Sequence, residues 1–356
     1  MKMPATVDET PYGARHSVLM VTNANVENGV PEISSLVEHQ AESLRKIGWA
    51  VHVGIIDDRT SLRGISRNAR KLKTELAHVR PRLLHAQYGS VTAAVARITK
   101  GSLPLIVSFC GDDLLGTPNP GLMWRVRERL ASGIGIFGAR AAAAIIVKSK
   151  NLLQALPIGL QSRAIVLPNG VDIDFFQPMD RGACRAKLGW SSRSKVVLFN
   201  ASQHDNQTCK NANLARAAID IVATTVPDVS LHRLSKVRRE DVRLCMNAAD
   251  CLLVTSFHEG SPNIVKEAMS CNLPIVSVPC GDVPERLRMT SPGGIYSYTP
   301  GALAEGIHKV FKVGSRSNGR KQILAQGLSA ESVANRLSDV YRIVIGGGVF
   351  RATCVE

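Results

Sequence analysis

The residue types best suited to chemistry cluster in one segment, where Glu259 and Glu267 lie eight positions apart. An apolar run over 251–255 comes directly before this segment and is typical of a buried strand. The sequence Gly-Ser-Pro-Asn at 260–263 then predicts a turn that opens a helix over 263–270. The first backbone N–H groups of a helix lack partners within the helix and lie at the positive end of its dipole. This turn therefore suits the oxygens of phosphates or sugars.

Glu267 lies one turn into that predicted helix. A carboxylate there can accept two hydrogen bonds from a diol such as the ribose of a nucleotide. The same residues also fit an ordinary capped helix that carries two solvated acids. Both interpretations stay open on these residues alone.

The strands and helices that must position this segment can be predicted from short runs rich in Val, Ile and Leu. Such runs are typical of strands that are covered on both faces in a parallel sheet, and the segments between them have helical spacing. The predicted strands are 18–21, 51–56, 83–86, 105–109, 145–147, 165–167, 196–199, 252–254 and 275–278, and predicted helices include 34–47, 212–222 and 263–270. This alternation predicts an α/β fold of two Rossmann-like, doubly wound domains that face a central cleft at the carboxyl ends of their strands.

The domain boundary is predicted at a turn. Pro168, Asn169 and Gly170 follow the last strand of the first set and are typical turn residues, so we predict an interdomain hinge there. The predicted domains are an acceptor-side domain over 1–172 and a nucleotide-sugar-binding domain over 173–331. A helix over about 332–356 is expected to pack back on the first domain.

Composition narrows the class of protein. The 356 residues are 45% hydrophobic, 21% charged and 4% aromatic, which excludes wholesale disorder, collagen and coiled coil. The net charge of +15 favours anionic partners. No secretory signal is visible, and the longest apolar run, 141–147, is shorter than the roughly 20 residues that span a bilayer. Eight cysteines without a C-x-x-C pair indicate reduced thiols, so we expect a cytoplasmic protein without a metal site.

The positive charge is concentrated at 59–82, where eight basic residues face one glutamate and apolar residues, from Leu62 to Val79, recur at helical spacing. This pattern predicts a basic amphipathic helix. It fits an ordinary domain helix with solvated charges, and it also fits a surface that binds an anionic inner membrane leaflet. A second candidate for such binding is 124–130.

Several motifs together resemble a known family. They are Glu259-x7-Glu267, the hinge 168–172, and the segments 28–32, 85–89, 109–114 and 281–285. In their order and spacing over about 270 residues, they resemble the retaining GT-B glycosyltransferases, and among these glycosyltransferase family 4 (group 1).

The resemblance implies a set of roles. Glu267 would hold the ribose of a nucleotide diphosphate sugar, and Lys210 would neutralise the diphosphate as it leaves. Glu259 would position the donor sugar, and Gly29 would approach the phosphates closely. The remaining donor contacts would come from the backbone of Gly260, Ser261, Pro262, Asn263 and Ile264. Family members usually work without a metal, so no cofactor is expected and the protein must supply the positive charge.

The chain also departs from the family pattern. Relatives usually carry an arginine a few residues before the lysine and a glycine after it, whereas 200–211 contains neither. Many relatives have histidine where this chain has Cys110. A thiol is not an equivalent hydrogen-bond donor, so we assign the catalytic acceptor-side role to Asp112 or Asp113, beside Glu259 and Lys210.

The resemblance thus implies a hexosyltransferase that moves a sugar to a hydroxyl acceptor with retention at the anomeric carbon. The acceptor is expected to be a glycan or lipid-linked glycan in cell-surface polysaccharide synthesis. The alternatives are a catalytically inactive nucleotide-sugar-binding relative and a GT-B epimerase or synthase. Nucleic acid is not an expected partner, because aromatic stacking platforms are scarce. No Ser-His-Asp or Cys-His arrangement is visible in the sequence.

Overall fold

Two parallel sheets organise the part of the chain that the computed structural model describes, residues 16–27, 30–33, 35–116, 122–201, 208–235 and 237–348. The first sheet has the strand order β3-β1-β4-β5-β6-β7, and β2 pairs antiparallel with the end of β1. Its strands are β1 (Ser17–Glu27), β2 (Val30–Ile33), β3 (Ala50–Ile56), β4 (Leu83–Gln87), β5 (Leu105–Phe109), β6 (Ala144–Val147) and β7 (Ala164–Val166). The helices in the same part are α1 (Ser35–Lys46), α2 (Leu62–Val79), α3 (Val91–Thr99), α4 (Asp112–Leu115), α5 (Leu122–Ala139), α6 (Lys150–Ala155) and α7 (Ile158–Gln161).

The second sheet has five parallel strands in the order β12-β11-β10-β8-β9. They are β8 (Lys195–Asn200), β9 (Val229–Leu234), β10 (Cys251–Val254), β11 (Ile275–Ser277) and β12 (Gly293–Ile295). The helices are α8 (Arg181–Leu188), α9 (Ala212–Ala223), α10 (Arg239–Ala248), α11 (Asn263–Ser270), α12 (Val283–Leu287), α13 (Pro300–Val313), α14 (Gly319–Ala325) and α15 (Ala330–Ile345), with a short 3₁₀ turn at Thr208–Lys210.

The predicted α/β class of two doubly wound sheets is confirmed, and every predicted strand overlaps an observed one, with ends that differ by at most six residues. Sequence reasoning missed three strands, of which two belong to the second sheet. β9 lies at a sheet edge and carries Ser230, His232 and Arg233, so it lacks the continuous apolar run of a central strand. β12 is only Gly-Gly-Ile, which gives no strand signal.

The last described helix, α15, packs against the first sheet. Val333 and Leu337 lie in one core cluster with Val18 and Leu83. Tyr341 is fully buried in the same cluster, and its hydroxyl lies 2.6 Å from Nδ1 of His85. The chain therefore returns to the first sheet after completing the second, and the exact domain limits stay a prediction.

The predicted basic helix exists as α2. Ser61 caps it by accepting a hydrogen bond from the Gly64 N–H at 2.9 Å, and Leu72 is buried in the core of the first sheet. Ile65, Ala69 and Leu76 pack against the same core. Leu62 does not belong to this apolar stripe, because it starts the helix and is 86% exposed. The stripe is thus used for domain packing, and the basic side chains are left at the surface.

Candidate active-site cleft

A cleft with a volume of about 480 Å³ lies at the carboxyl ends of strands from both sheets. From the first sheet it is lined by residues that follow β4, β5 and β6, namely Tyr88, Cys110 and Lys148. From the second it is lined by Lys210 and by the residues of the predicted donor site, which are Glu259, Gly260, Ser261, Pro262, Asn263, Ile264 and Glu267. The structure therefore brings the predicted second-domain residues together at one place.

Lys210 and Glu259 form an ion pair between the Nζ and Oε1 atoms, with both side chains 17% exposed. Thr255, which follows β10, donates a hydrogen bond to the carbonyl of Lys210 at 2.7 Å and so fixes the 3₁₀ turn that carries this lysine. Ser256 donates to the same Glu259 oxygen at 2.9 Å. Burial lowers the pKa of Lys210, but the charge of Glu259 outweighs it, so the pKa is raised overall.

Gly260 lies in close contact with the first domain. A Cβ on Gly260 would lie 2.7 Å from the carbonyl oxygen of Cys110 and 3.0 Å from Cδ1 of Leu152. Beside it, the side-chain amide of Asn151 donates to the carbonyl of Glu259 at 3.1 Å. The turn before α11 is therefore held against the first domain, and only glycine fits at position 260 without a shift of backbone.

Behind this turn lies a buried polar network. Ser261 donates a hydrogen bond to Oδ2 of Asp282 at 2.8 Å and accepts one from Nζ of Lys266 at 3.0 Å. Arg286 donates to the same Asp282 oxygen at 3.0 Å. The side chain of Ser261 is thus engaged within the protein, which leaves its backbone as the group available to a ligand. Asn263, the first residue of α11, has a buried Oδ1 without a hydrogen-bond partner among the described residues.

Glu267 lines the cleft from the second turn of α11. Among the described residues, no donor lies within hydrogen-bond distance of its carboxylate. Burial raises the pKa of Glu267 to about 7, against the opposing charges of Arg239 and Lys266. An unpaired carboxylate inside a cleft fits the predicted acceptor of a ribose diol, and that role stays a prediction.

The structure assigns Asp113 a different task from the predicted acceptor contact. Its two carboxylate oxygens accept hydrogen bonds from the backbone N–H groups of Gly89 at 2.7 Å, Gly111 at 2.8 Å and Cys110 at 2.9 Å. Burial raises the pKa of Asp113, and these N–H groups oppose that shift. Asp113 therefore anchors the loop after β5 rather than presenting a free carboxylate, and the acceptor-side prediction is left with Asp112.

Asp112 contacts a histidine to which the sequence analysis gave no role. His258 Nε2 lies 3.4 Å from Oδ1 of Asp112, and the Asp112 side chain is 62% exposed. Hydrogen bonding to Asp112 and to Cys209 raises the pKa of His258 to about 10, so the imidazole is charged at neutral pH. Cys209 Sγ lies 3.8 Å from Nε2 of His258. This Cys-His pair is not visible in the sequence, because 49 residues separate two side chains that the fold places together.

Lys148 is the other residue that sequence reasoning missed. It follows β6, lines the cleft and is only 2% exposed. Burial lowers its pKa, while the nearby Cys110 and Asp113 side chains oppose that shift. The available signal was a lysine directly after a buried apolar strand, a position that faces the cleft in this class of fold.

Two parts of the predicted site lie outside the described residues. One is Gly29, and the other is the segment 202–207 that precedes Lys210. Within the described ranges, no group of three or more His, Cys, Asp or Glu side chains could hold a metal ion, and the absence of a cofactor stays a prediction. No described helix is long and apolar enough to cross a membrane.

Residues 210–312 match the family model described as glycosyl transferases group 1. The chain is 25% identical to a D-inositol 3-phosphate glycosyltransferase of Mycolicibacterium gilvum, in a match covering 45% of this chain and 42% of the relative. A D-inositol 3-phosphate glycosyltransferase of Mycobacterium sp. strain KMS is 29% identical, with 36% of this chain and 34% of the relative covered. The chain thus spans less than half the length of these relatives.

Solved structures match nearly the whole chain. Sucrose-phosphate synthase from Thermosynechococcus elongatus superposes with a TM-score of 0.75 at 15% identity, covering 94% of this chain and 100% of that one. The Anabaena protein HepE, solved in complex with UDP-glucose, gives a TM-score of 0.70 at 15% identity, covering 91% and 99%. At such low identity the likeness concerns the fold, and it confirms the predicted pair of Rossmann-like domains.

Proposed function

We propose that the protein is a glycosyltransferase, because residues 210–312 match the group 1 glycosyltransferase model and the chain has the GT-B fold. It transfers a sugar from a nucleoside diphosphate sugar to a hydroxyl acceptor, with retention at the anomeric carbon. The observation that carries the proposal is the meeting of Lys210, Glu259 and the amino-terminal turn of α11 in one cleft.

The proposed reaction places developing negative charge on the leaving diphosphate. Lys210 and the free N–H groups at the start of α11 stabilise that charge, because preorganised dipoles and cations act strongly in a cleft that excludes water. Glu259 orients the donor sugar, and Glu267 holds the ribose. The acceptor hydroxyl attacks on the face that the diphosphate leaves, and a departing phosphate oxygen takes its proton. No protein nucleophile is required in this scheme.

The first donor to test is UDP-glucose, because HepE was solved with that compound. The experiment measures UDP release from UDP-glucose, with other nucleoside diphosphate sugars as alternatives, in the presence and absence of candidate acceptors. Glu267→Ala is expected to weaken donor binding because the ribose loses its carboxylate partner. Wild-type donor affinity and turnover in that variant would refute the ribose assignment.

We further propose a glycan or lipid-linked glycan acceptor, used in cell-surface polysaccharide synthesis at the inner membrane face. Support comes from the outward basic side chains of α2 and from Leu130, Ile134 and Phe137 on α5. These three are 65%, 39% and 43% exposed, and their spacing puts them on one face of the helix. Flotation with neutral and acidic vesicles tests this surface, and equal binding to both would refute attraction to anionic lipid.

A second candidate is a nucleotide-sugar-binding relative without turnover. The specific observation in its favour is the lack of an arginine in 200–211, because phosphate stabilisation would then depend on fewer cations. Binding of a nucleoside diphosphate sugar without release of nucleoside diphosphate under any acceptor would favour this candidate. An epimerase would instead convert the donor sugar when no acceptor is present.

A further inference from the structure

Lys148 is a buried cation without a partner. Its side chain is 2% exposed, and among the described residues no hydrogen-bond acceptor or carboxylate pairs with its Nζ. Asp113 acts on it only through space, since both oxygens of that carboxylate are engaged by backbone N–H groups. A buried charge that lacks a counter-charge is costly, so a position like this one is typical of a site that receives an anion.

The other lysines of this region are neutralised within the protein. Lys210 and Glu259 pair with each other, and both lie on the second-domain side of the cleft, opposite Lys148. Lys266 donates to Ser261, whose hydroxyl in turn donates to Asp282. Lys148 lines the same cleft as Gly260 and Asn263, at the amino-terminal end of α11, and its charge helps to lower the pKa of Lys266. Within the described ranges, Lys148 and Lys210 are the lysines that line the cleft, and Lys148 is the one without a counter-charge there.

We propose that Lys148 binds the diphosphate of the donor from the first-domain side and supplies the second positive charge for its departure. It would thereby take the place of the arginine that glycosyltransferase relatives carry before the lysine that corresponds to Lys210. This inference rests on the proposed function. The donor diphosphate is favoured over an anion on the acceptor, because Lys148 lines the cleft together with Gly260 and Asn263, whose backbone N–H groups have no hydrogen-bond acceptor among the described residues.

In the reaction, the bond between the anomeric carbon and the diphosphate oxygen breaks, and its electron pair stays on that oxygen. The bond from the anomeric carbon to the acceptor oxygen forms, and the acceptor proton passes to a phosphate oxygen. Lys148 keeps its proton throughout and acts as a hydrogen-bonding cation. With Lys148 on one domain and Lys210 on the other, the diphosphate is held from both walls of the cleft.

The test compares binding of UDP, GDP and ADP with binding of the matching nucleosides, by calorimetry. Lys148→Gln is expected to weaken binding of the preferred diphosphate at least tenfold and to leave nucleoside binding unchanged, while Lys148→Arg retains part of the affinity. The matched control is Lys150→Gln, because that lysine lies two residues away, is 70% exposed and pairs with Glu285 at 3.7 Å. Its affinities should equal those of the wild type.

The other possible results each contradict either the role of Lys148 or the proposed function. Wild-type diphosphate affinity in Lys148→Gln, or an equal loss for nucleoside and diphosphate, overturns the role of Lys148 while the proposed function stands. A loss confined to acceptor affinity during turnover overturns the donor assignment in the same way. Absence of diphosphate binding by the wild type refutes the proposed function itself. Lys148→Met guards against misfolding, because removal of an unpaired buried charge should raise the melting temperature without ligand and abolish most of the rise that the diphosphate gives.

Discussion

The two walls of the cleft are built in different ways. Most of the second-domain wall comes from one continuous segment, 259–267, whose chemistry can be seen in a short stretch of sequence, and Lys210 lies beside it. The first-domain wall is assembled from the ends of β4, β5 and β6, which contribute Tyr88, Cys110 and Lys148 from positions far apart in the chain. A continuous motif can therefore be recognised in the sequence. Residues that the strand order brings together from distant positions can be recognised only when the fold is known.

The walls also differ in how their charges are balanced. On the second wall, Lys210 and Glu259 neutralise each other, and Glu267 faces the cleft. On the first wall, backbone N–H groups engage the Asp113 carboxylate, and Lys148 has no partner among the residues that the structure describes. A diphosphate would therefore complete the first wall and compete with Glu259 for Lys210 on the second. Substitutions on the two walls test this difference in charge balance.

The largest effect is expected from Lys210→Ala. The variant removes the cation that stabilises the leaving diphosphate, and loss of one such donor typically costs about 10²–10³ in kcat. Turnover of the donor by the purified variant measures it. Lys187→Ala, which removes an exposed lysine from the last turn of α8, is the control and should keep wild-type turnover. A variant at position 210 that keeps half of the wild-type kcat would show that the second wall does not carry the charge.

The next effect concerns the contact between the walls. Gly260→Ala forces a Cβ to within 2.7 Å of the Cys110 carbonyl oxygen, so the turn before α11 must shift. We expect roughly a hundredfold loss of kcat/KM, since misplacement by about 1 Å has that scale of effect. Gly133→Ala is the control, because an added Cβ on that helical glycine meets nothing within 4 Å. Equal activity of the two variants would mean that the walls do not need this close approach.

A smaller effect, on stability, distinguishes the two neighbouring aspartates. Asp113→Asn replaces an acceptor oxygen with a donor that faces backbone N–H groups, and it should cost about 1–3 kcal/mol in the free energy of unfolding. Asp112→Asn weakens one ion pair, to His258, of a side chain that is 62% exposed, and it should cost less, about 0–1 kcal/mol. Urea denaturation of both variants measures the difference. The reverse order would restore Asp113 as a free carboxylate of the first wall.

The same contrast explains what could be predicted from the sequence. α11 was predicted at its observed bounds, because a strand, a Gly-Ser-Pro-Asn turn and a helix follow each other directly. The apolar runs predicted the central strands, since burial on both faces requires apolar residues at every position. Both patterns involve residues that are close together in the chain, so they can be recognised in the sequence alone.

The unpredicted features depend on contacts between distant residues. Asp113 was expected to face an acceptor, but its position two to three residues from Cys110 and Gly111 lets it close the loop on itself. His258 and Cys209 meet only because β8 and β10 are neighbours in the sheet. Lys148 belongs to no sequence motif. Its proposed role depends on the lack of a counter-charge among the described residues, and only the fold shows which side chains lie beside it.

The smallest expected effect is a pH dependence that arises on the second wall. Burial raises the pKa of Glu267 to about 7, so the carboxyl group is mostly protonated at pH 6 and mostly ionised at pH 8. The ionised form accepts both hydrogen bonds of a ribose diol, so affinity for the donor nucleotide should rise with pH across this range, by up to about tenfold. Calorimetric titration with UDP at pH 6, 7 and 8 measures the change.

Other groups near the cleft contribute to the same titration and must be separated from Glu267. His258 has a pKa of about 10 and stays charged up to pH 8, while His85, with a pKa of about 3, stays neutral. Lys266, with a pKa lowered to about 8, and the phosphate of UDP both titrate in part. Glu267→Gln keeps all of these and removes only the carboxylate, so the ratio of wild-type to variant affinity isolates its effect. A ratio of wild-type to variant affinity that does not change with pH would mean that Glu267 contacts no diol. The assignment of the nucleotide to the second wall would then be wrong.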